Sequence, residues 1–367
     1  MPERSHLHYV ADEFSPRSAR WAQRSPSGHA EGATRPLLIG ACPRSGTTLL
    51  RSLLNNHPDL AIPAETDFVL PLWRARVRHG DLRRESNRRE LAHWIFHTEG
   101  HGGRRIRAKG LAEQDVTRDE AIERVVTAGT TLGSLLAACF AMYANSHGKQ
   151  RWGDKRPAYA GHVGTLMRLF PDAQFINVVR DPRGAAASLI SLGWHRRREA
   201  TAAAAATWAM SVHRVDQAAK RLRPDQLMDV RYEDLVADPE ATLARICTFA
   251  SLPGGPAIDQ MLSADRGGRE RFREGWHDKL KQPIGTDPVI AWRDRLRPRQ
   301  IALVEHAAGS ELARWGYRPF DGPTPEPSAA QLTRLRKHVE LREAKWARED
   351  RTELKRRIRY RRPVAAR

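Results

Sequence analysis

Apolar and polar positions alternate in blocks along this chain, and the sharpest change of pattern falls at Pro36. Residues 1–34 are rich in Ser, Arg and Pro and carry no apolar period, which predicts a mobile arm. Leu37-Leu38-Ile39-Gly40-Ala41-Cys42 is then a short apolar run bounded by turn residues, the pattern of a strand buried on both faces of a parallel sheet. Pro43-Arg44-Ser45-Gly46 predicts a turn, and Thr47 to Asn56 carries Leu49, Leu50, Leu53 and Leu54 at helical spacing. Strand, loop and helix in this order open an α/β fold.

Farther on, Asp119 to Ser146 predicts one long apolar helix through Ile122, Val125, Val126, Leu132, Leu135, Leu136 and Phe140. A second α/β unit follows, with helix over 159–170, strand over 175–179 and helix over 182–192, the last started by Pro182. Ala-rich helix is predicted over 199–222, strand over 226–230, and helix over 239–250 and 299–315. Gly322 to Pro327 is a Pro-rich break, and beyond it Leu332, Leu335, Val339 and Trp346 form a loose apolar stripe under a basic face. The organisation expected is an arm over 1–34, a catalytic domain over 35–320, and a break with a basic helical tail over 321–367. No internal repeat is present.

The chain has 367 residues, of which 40% are hydrophobic, with ten Trp and nine Phe, enough for a core. No run approaches the roughly 18 apolar residues of a spanning helix, and the first 20 residues have no apolar signal segment, so a cytoplasmic protein is expected. Three scattered Cys (Cys42, Cys139, Cys247) suit neither a disulfide framework nor a zinc site. No His, Cys and carboxylate set has metal-ligand spacing, so no metal is expected, and His57 and His162 are read as structural or exposed. The net charge is +19, which admits an anionic partner. Residues 331–367 hold 14 Lys/Arg against 5 Asp/Glu, so about half of the excess sits in the tail. That surplus suits contact with an acidic membrane surface; no specific nucleic acid is expected.

The chemistry is concentrated in Gly40 to Leu50. A Gly-containing turn between a buried strand and a helix points backbone N–H groups at one spot, where the helix dipole adds positive potential. Arg44 adds a planar donor fork, and Ser45, Thr47 and Thr48 add hydroxyls, so the loop reads as a phosphate cradle. It is not a Walker loop: five residues separate Gly40 from Gly46, and Thr47 stands where Lys would be. A nucleotide kinase or NTPase, and a basic non-catalytic binding protein, are therefore the weaker alternatives. A second constellation, Val178 to Ser188, puts Arg180 at a strand end and Ser188 two turns into the next helix, a guanidinium and a hydroxyl suited to a monoester phosphate.

Pro43-Arg44-Ser45-Gly46-Thr47-Thr48-Leu49 resembles the loop that binds the 5′-phosphosulfate in sulfotransferases using 3′-phosphoadenosine 5′-phosphosulfate (PAPS), in particular the bacterial and tyrosylprotein branches. The likeness spans roughly residues 36–320. It implies a P-loop-like three-layer α/β fold, with a central parallel sheet flanked by helices, and transfer of a sulfuryl group from PAPS to a hydroxyl acceptor with release of PAP. It further implies that Arg44, Ser45, Gly46, Thr47 and Thr48 hold the 5′ side, that Arg180 and Ser188 grip the 3′-phosphate, and that Tyr232, in Val230 to Leu235, reaches the adenine region. Lys281, in Lys279 to Pro283, is similar to a residue of the loop that closes over the nucleotide. Lys155, in Gly153 to Pro157, and Glu65, in Ala61 to Thr66, resemble a lysine near the transferred group and a catalytic carboxylate, so Glu65 is the expected base, with Lys155 and Arg44 stabilising charge. The acceptor site is expected in 68–118 and 194–215, where Trp73, Trp94, Phe96, Trp194 and Trp208 read first as core. A small molecule, carbohydrate or lipid is expected as acceptor ahead of a protein. Oligomeric state is not legible.

Overall fold

The computed structural model describes residues 35–64, 66–97, 116–193, 195–263, 285 and 287–361. The first apolar run forms β1, Leu37–Ala41, buried along its whole length. Leu38 packs in a cluster with Phe140, Trp152 and Phe175, whereas Leu37, Ile39 and Ala41 join Leu50, Leu53, Leu54 and Val230. Alternate residues thus serve opposite faces of the sheet, and because both faces are covered the sequence reads as an unbroken apolar run. After α1, Thr47–Asn55, come β2, Leu60–Ala61, then α2, Val69–Ala75, a 3₁₀ turn at Arg76–His79, and α3, Glu85–His97. Next are α4, Arg118–Thr127, α5, Leu132–Ser146, and β3, Arg151–Lys155. A 3₁₀ segment, Pro157–His162, and α6, Val163–Leu169, lead to β4, Gln174–Val179, and α7, Pro182–Ile190. Then follow α8, Arg197–Ala219, β5, Leu227–Arg231, α9, Tyr232–Ala237, α10, Pro239–Ala250, and α11, Pro256–Ser263. The described chain closes with α12, Asp287–Ile290, α13, Trp292–Arg295, α14, Pro298–Ala308, α15, Ser310–Arg314, and α16, Ala329–Arg361.

The five strands are all parallel in the order β2-β3-β1-β4-β5, with Leu37 paired to Gly153 on one side and to Gln174 on the other. The chain builds β2 and β3 on one side of β1, then crosses to add β4 and β5. A reversal of this kind leaves a crevice at the C-terminal ends of the central strands, the usual ligand position in such sheets. The layered α/β architecture is the one expected. Gly40 makes the close packing above β1 possible: a Cβ there would lie 2.5 Å from the Phe175 ring and 2.7 Å from the Ala160 backbone nitrogen.

Two expectations change. The predicted helix over 119–146 is two helices, broken at Gly129 (φ 140), with Thr131 capping the second through a reciprocal bond pair with Ser134. The predicted helix over 299–315 is interrupted at Gly309 (φ 54), so Ser310–Arg314 starts anew. The tail, read from the sequence as a basic helix beyond a Pro-rich break, forms a helix over Ala329–Arg361. Its helix α16 lies along α8, with Leu332, Leu335 and Val339 against Ala202, Ala205 and Ala206. The run of alanines in α8 gives a low surface that lets a second helix approach closely. The His338 Nε2 is 2.8 Å from Glu199 Oε2, the Arg214 guanidinium lies 4.4 Å over the Trp346 ring, and Glu349 pairs with Arg74 at 3.0 Å. Apolar burial and ion pairs on one face thus fasten the helix to the domain. No described helix is long and apolar enough to cross a membrane.

Leu335 is buried in this contact. Leu335→Ala is expected to lower the unfolding free energy by about 2 kcal/mol in urea titration. An unchanged midpoint would show that the helix adds nothing to domain stability.

Candidate active site

The crevice above β1 is formed by the loop Cys42 to Gly46 and by the N-terminus of α1. Gly46 caps α1 at φ 91, with no side-chain bond to the helix N–H groups and no acidic residue in the first turn. The free N–H groups and the dipole therefore remain available to an anion. A Cβ at Gly46 would lie 2.3 Å from the Tyr232 ring, so both the backbone angle and the packing call for glycine. Arg44 itself holds φ 73, a left-handed conformation that costs a non-glycine residue about 1–2 kcal/mol. Ser45 is fully buried, and its Oγ has no hydrogen-bond partner. A buried hydroxyl without a partner is rare in a folded protein and suits a site whose ligand completes it.

The strained loop is held from the neighbouring strand. Arg180, just past β4, donates from Nη1 to the Arg44 carbonyl at 3.0 Å and from Nη2 to the Pro288 carbonyl at 2.6 Å. Its guanidinium lies 4.5 Å above the Tyr232 ring, and its Nε is buried without a partner. Arg44 Nε donates to Ser188 Oγ at 3.0 Å. The two sequence constellations, 136 residues apart at Arg44 and Arg180, thus meet in one place. Among the described residues neither guanidinium is ion-paired with a carboxylate, and burial together with the charge of Arg180 holds Arg44 below its ordinary range. Two neighbouring cations with no carboxylate partner among the described residues create a strong positive potential.

Lys155, at the end of β3, is buried and reaches Thr48 Oγ1 at 3.5 Å, so it is no surface lysine. Thr47 is buried at the start of α1. Tyr232 packs between Gly46 and Arg180 and is nearly buried. Glu65, Lys281 and Trp194 lie outside the described residues. Phe96 and Trp208 are buried, and Trp73 and Trp94 pack against the core. His57 is buried and bonds the Pro253 carbonyl at 2.9 Å, and His162, beside Glu349, is pushed down to about 3 by burial, so both are structural.

Sequence reasoning missed the scaffold beneath Arg180. Trp208 Nε1 donates to the Arg180 carbonyl at 2.8 Å. Arg183 is clamped between Asp181 and Glu305, each at 2.7 Å. Glu233 accepts the Asp181 N–H at 2.9 Å and the Tyr317 hydroxyl at 2.8 Å. Val178 to Ser188 and Val230 to Leu235 were legible as motifs, but nothing local pointed to the contacts that Glu233, Glu305 and Tyr317 make. Among the described residues, no group of His, Cys, Asp and Glu is arranged to hold a metal.

Comparison with known proteins gives this geometry its context. The chain is 24% identical over 327 residues to protein-tyrosine sulfotransferase A of Caenorhabditis elegans, covering 85% of this chain and 74% of that one. It is 24% identical over 316 residues to protein-tyrosine sulfotransferase 1 of Homo sapiens, covering 81% and 75%. In fold it is similar to the sulfotransferase domain of the Synechococcus PCC 7002 olefin synthase, with a TM-score of 0.55 and 22% identity over 80% of this chain and 99% of that one. A sulfotransferase domain from the curacin biosynthetic pathway is similar at a TM-score of 0.51 and 20% identity, covering 78% and 98%. The profile described as the sulfotransferase family matches residues 36–255, more than half of the chain. The chain belongs to the sulfotransferase family.

Proposed function

We propose that this sulfotransferase takes its sulfuryl group from PAPS, releases PAP, and delivers the group to a hydroxyl acceptor. The observation that carries the reading is the convergence of Arg44, Arg180 and Ser188 on a helix N-terminus beside the buried, unpartnered Ser45 Oγ. A nucleotide with phosphates at both ends of its ribose needs two anion sites a short distance apart, and the residues present fit that need. In this reading the backbone of Ser45 to Thr48 with its hydroxyls holds the 5′ side, while Arg180 and Ser188 hold the 3′-phosphate. Tyr232 carries the base region from below, and Lys281 belongs to the closing loop.

The donor supplies an activated sulfuryl group; the chain supplies position and charge. Sulfuryl transfer resembles phosphoryl transfer in that alignment and electrostatics dominate. Lys155 and Arg44 meet the negative charge that grows on the leaving oxygen. Glu65 takes the acceptor proton as the new S–O bond forms. The names of the curated relatives move the proposed acceptor from a small molecule, carbohydrate or lipid toward a tyrosine hydroxyl on a protein.

Saturating PAP is expected to raise the melting temperature, with a stability gain of about 2.7 kcal/mol at 100 times the dissociation constant, while Mg-ATP gives little. Arg180→Ala should weaken PAP by about 1.5–3 kcal/mol more than it weakens the 3′-dephosphorylated analogue, whose own smaller loss reflects the support that Arg180 gives the Arg44 turn. No shift with PAP would remove the donor assignment, and equal losses would remove Arg180 from the 3′ site. Glu65→Gln should leave PAP affinity within a few-fold and reduce turnover of a tyrosine peptide by roughly 10²–10⁴. The same loss on acidic nitrophenols as on tyrosine would contradict the base role.

A further inference from the structure

Among the described residues, Asp154 is a fully buried carboxylate beside the candidate site, and its side chain bonds Thr66 and Tyr159 rather than the nucleotide loop. It lies in β3, immediately before Lys155, with no solvent exposure. Its Oδ1 accepts the Lys155 backbone N–H at 3.0 Å. Its Oδ2 accepts the Thr66 hydroxyl at 2.7 Å and also the Tyr159 hydroxyl. Thr66 and Tyr159 are themselves buried. Alongside, Arg156 donates to the Thr66 carbonyl at 3.2 Å and pairs with Asp67.

The other end of the same segment is fastened to the helix of the phosphate loop. Arg51, on α1, donates from Nε to the carbonyls of Ile62 at 2.8 Å and Pro63 at 3.1 Å. Asn55 Oδ1 accepts the Ile62 N–H at 2.8 Å. Ile62 and Pro63 are thus tied to α1, and Thr66 and Asp67 to the end of β3, where Lys155 arises. Burying a carboxylate is unfavourable unless its lone pairs are used, and here three donors use them. An apolar residue could fill the same volume but could not bind two hydroxyls at once.

We propose that Asp154 is a positioning residue for sulfuryl transfer: through Thr66 and Tyr159 it fixes Thr66 and Asp67, a strap on the acceptor side, relative to Lys155 and the phosphate loop. The inference rests on the proposed reaction, in which Glu65, the neighbour of Thr66 in sequence, receives the acceptor proton. A shift of the strap by an ångström misaligns the acceptor without disturbing the nucleotide.

The buried position also makes the clamp sensitive to acid. Desolvation pushes the Asp154 carboxyl up to about 6, against the lowering effects of Tyr159, Thr66 and the Lys155 charge. The charged and titratable groups around it are Lys155, Arg156, Asp67 and Tyr159. Once protonated, the carboxyl carries a donor and one acceptor lone pair fewer, so one of its three bonds must reverse or be given up and the clamp loosens. The effect on stability runs the other way. A carboxyl raised in the folded state contributes most below its unfolded value, and that contribution is lost as pH rises through about 6. The melting temperature of the native protein relative to Asp154→Asn should therefore be higher at pH 5 than at pH 7.5, while turnover falls over the same acid range.

The test uses the full chain with PAPS as donor and a tyrosine peptide as acceptor, and follows PAP binding by melting shift. Asp154→Asn should keep PAP affinity within about 3-fold and lower kcat by about 10–100-fold. It should also abolish the acid limb of kcat near pH 6 seen in the native protein. Thr66→Val should reproduce the loss and be non-additive with Asp154→Asn, and Thr66→Ser should recover most of it. The inference is overturned if Asp154→Asn lowers only the melting temperature, if PAP affinity falls in step with kcat, or if the acid limb survives. Should Asp154→Asn not fold, additive losses or an unshifted pH profile in Thr66→Val overturn it equally. Absence of any PAP shift in the native protein is a separate result, which removes the donor assignment and not the clamp.

Discussion

The bond from Arg180 to the carbonyl of Arg44 is the contact on which the rest of the site depends. It joins the turn after β4 to the turn after β1, across the place where the strand order reverses. It also stabilises Arg44 in a left-handed backbone conformation and keeps two guanidinium groups adjacent in a partly dry setting. Like charges gathered in this way oppose folding unless other interactions offset them. Here the offset comes from a buried scaffold below: Trp208 on the Arg180 carbonyl, the Arg183 clamp, and Glu233 shared by Asp181 and Tyr317. The fold accepts local strain and repulsion at one point and supports it with burial elsewhere, a common arrangement where a charged ligand is to be bound.

The same logic explains the C-terminal helix. Glu349 reaches Arg74, Glu199 reaches His338, and the Trp346 indole sits where a Cβ on Gly161 would be 3.3 Å away. The helix spans from α8 to α2, and α2 lies in the segment proposed to serve the acceptor. A truncation there would remove a structural wall as well as positive charge.

What was legible in the sequence was whatever local pattern specifies. An apolar run followed by Gly-containing turn and helix can form little else, so β1, its loop and α1 were readable; that Ser188 is bonded by Arg44, while Arg180 holds the Arg44 carbonyl, was not. The helix breaks at Gly129 and Gly309 were hidden because the apolar period continues across them, and only backbone angles reveal the stop. The docking of α16 was hidden for another reason: its partner surface is a run of alanines, which carries no signal beyond helix propensity. Asp154 was visible only as part of a motif beside Lys155. Its role as a junction depends on Thr66, 88 residues away, and no periodicity encodes a contact of that range.

The central claim is that Arg44 and Arg180 belong to one bipartite anion site that receives both phosphates of PAP. A crystal structure of the full chain with PAP tests it most directly. The account predicts the 5′-phosphate on the backbone of Ser45 to Thr48 and the 3′-phosphate on Arg180 and Ser188, with Arg180 released from the Pro288 carbonyl. A nucleotide bound elsewhere, or a 3′-phosphate in solvent while Arg180 stays on Pro288, would contradict it.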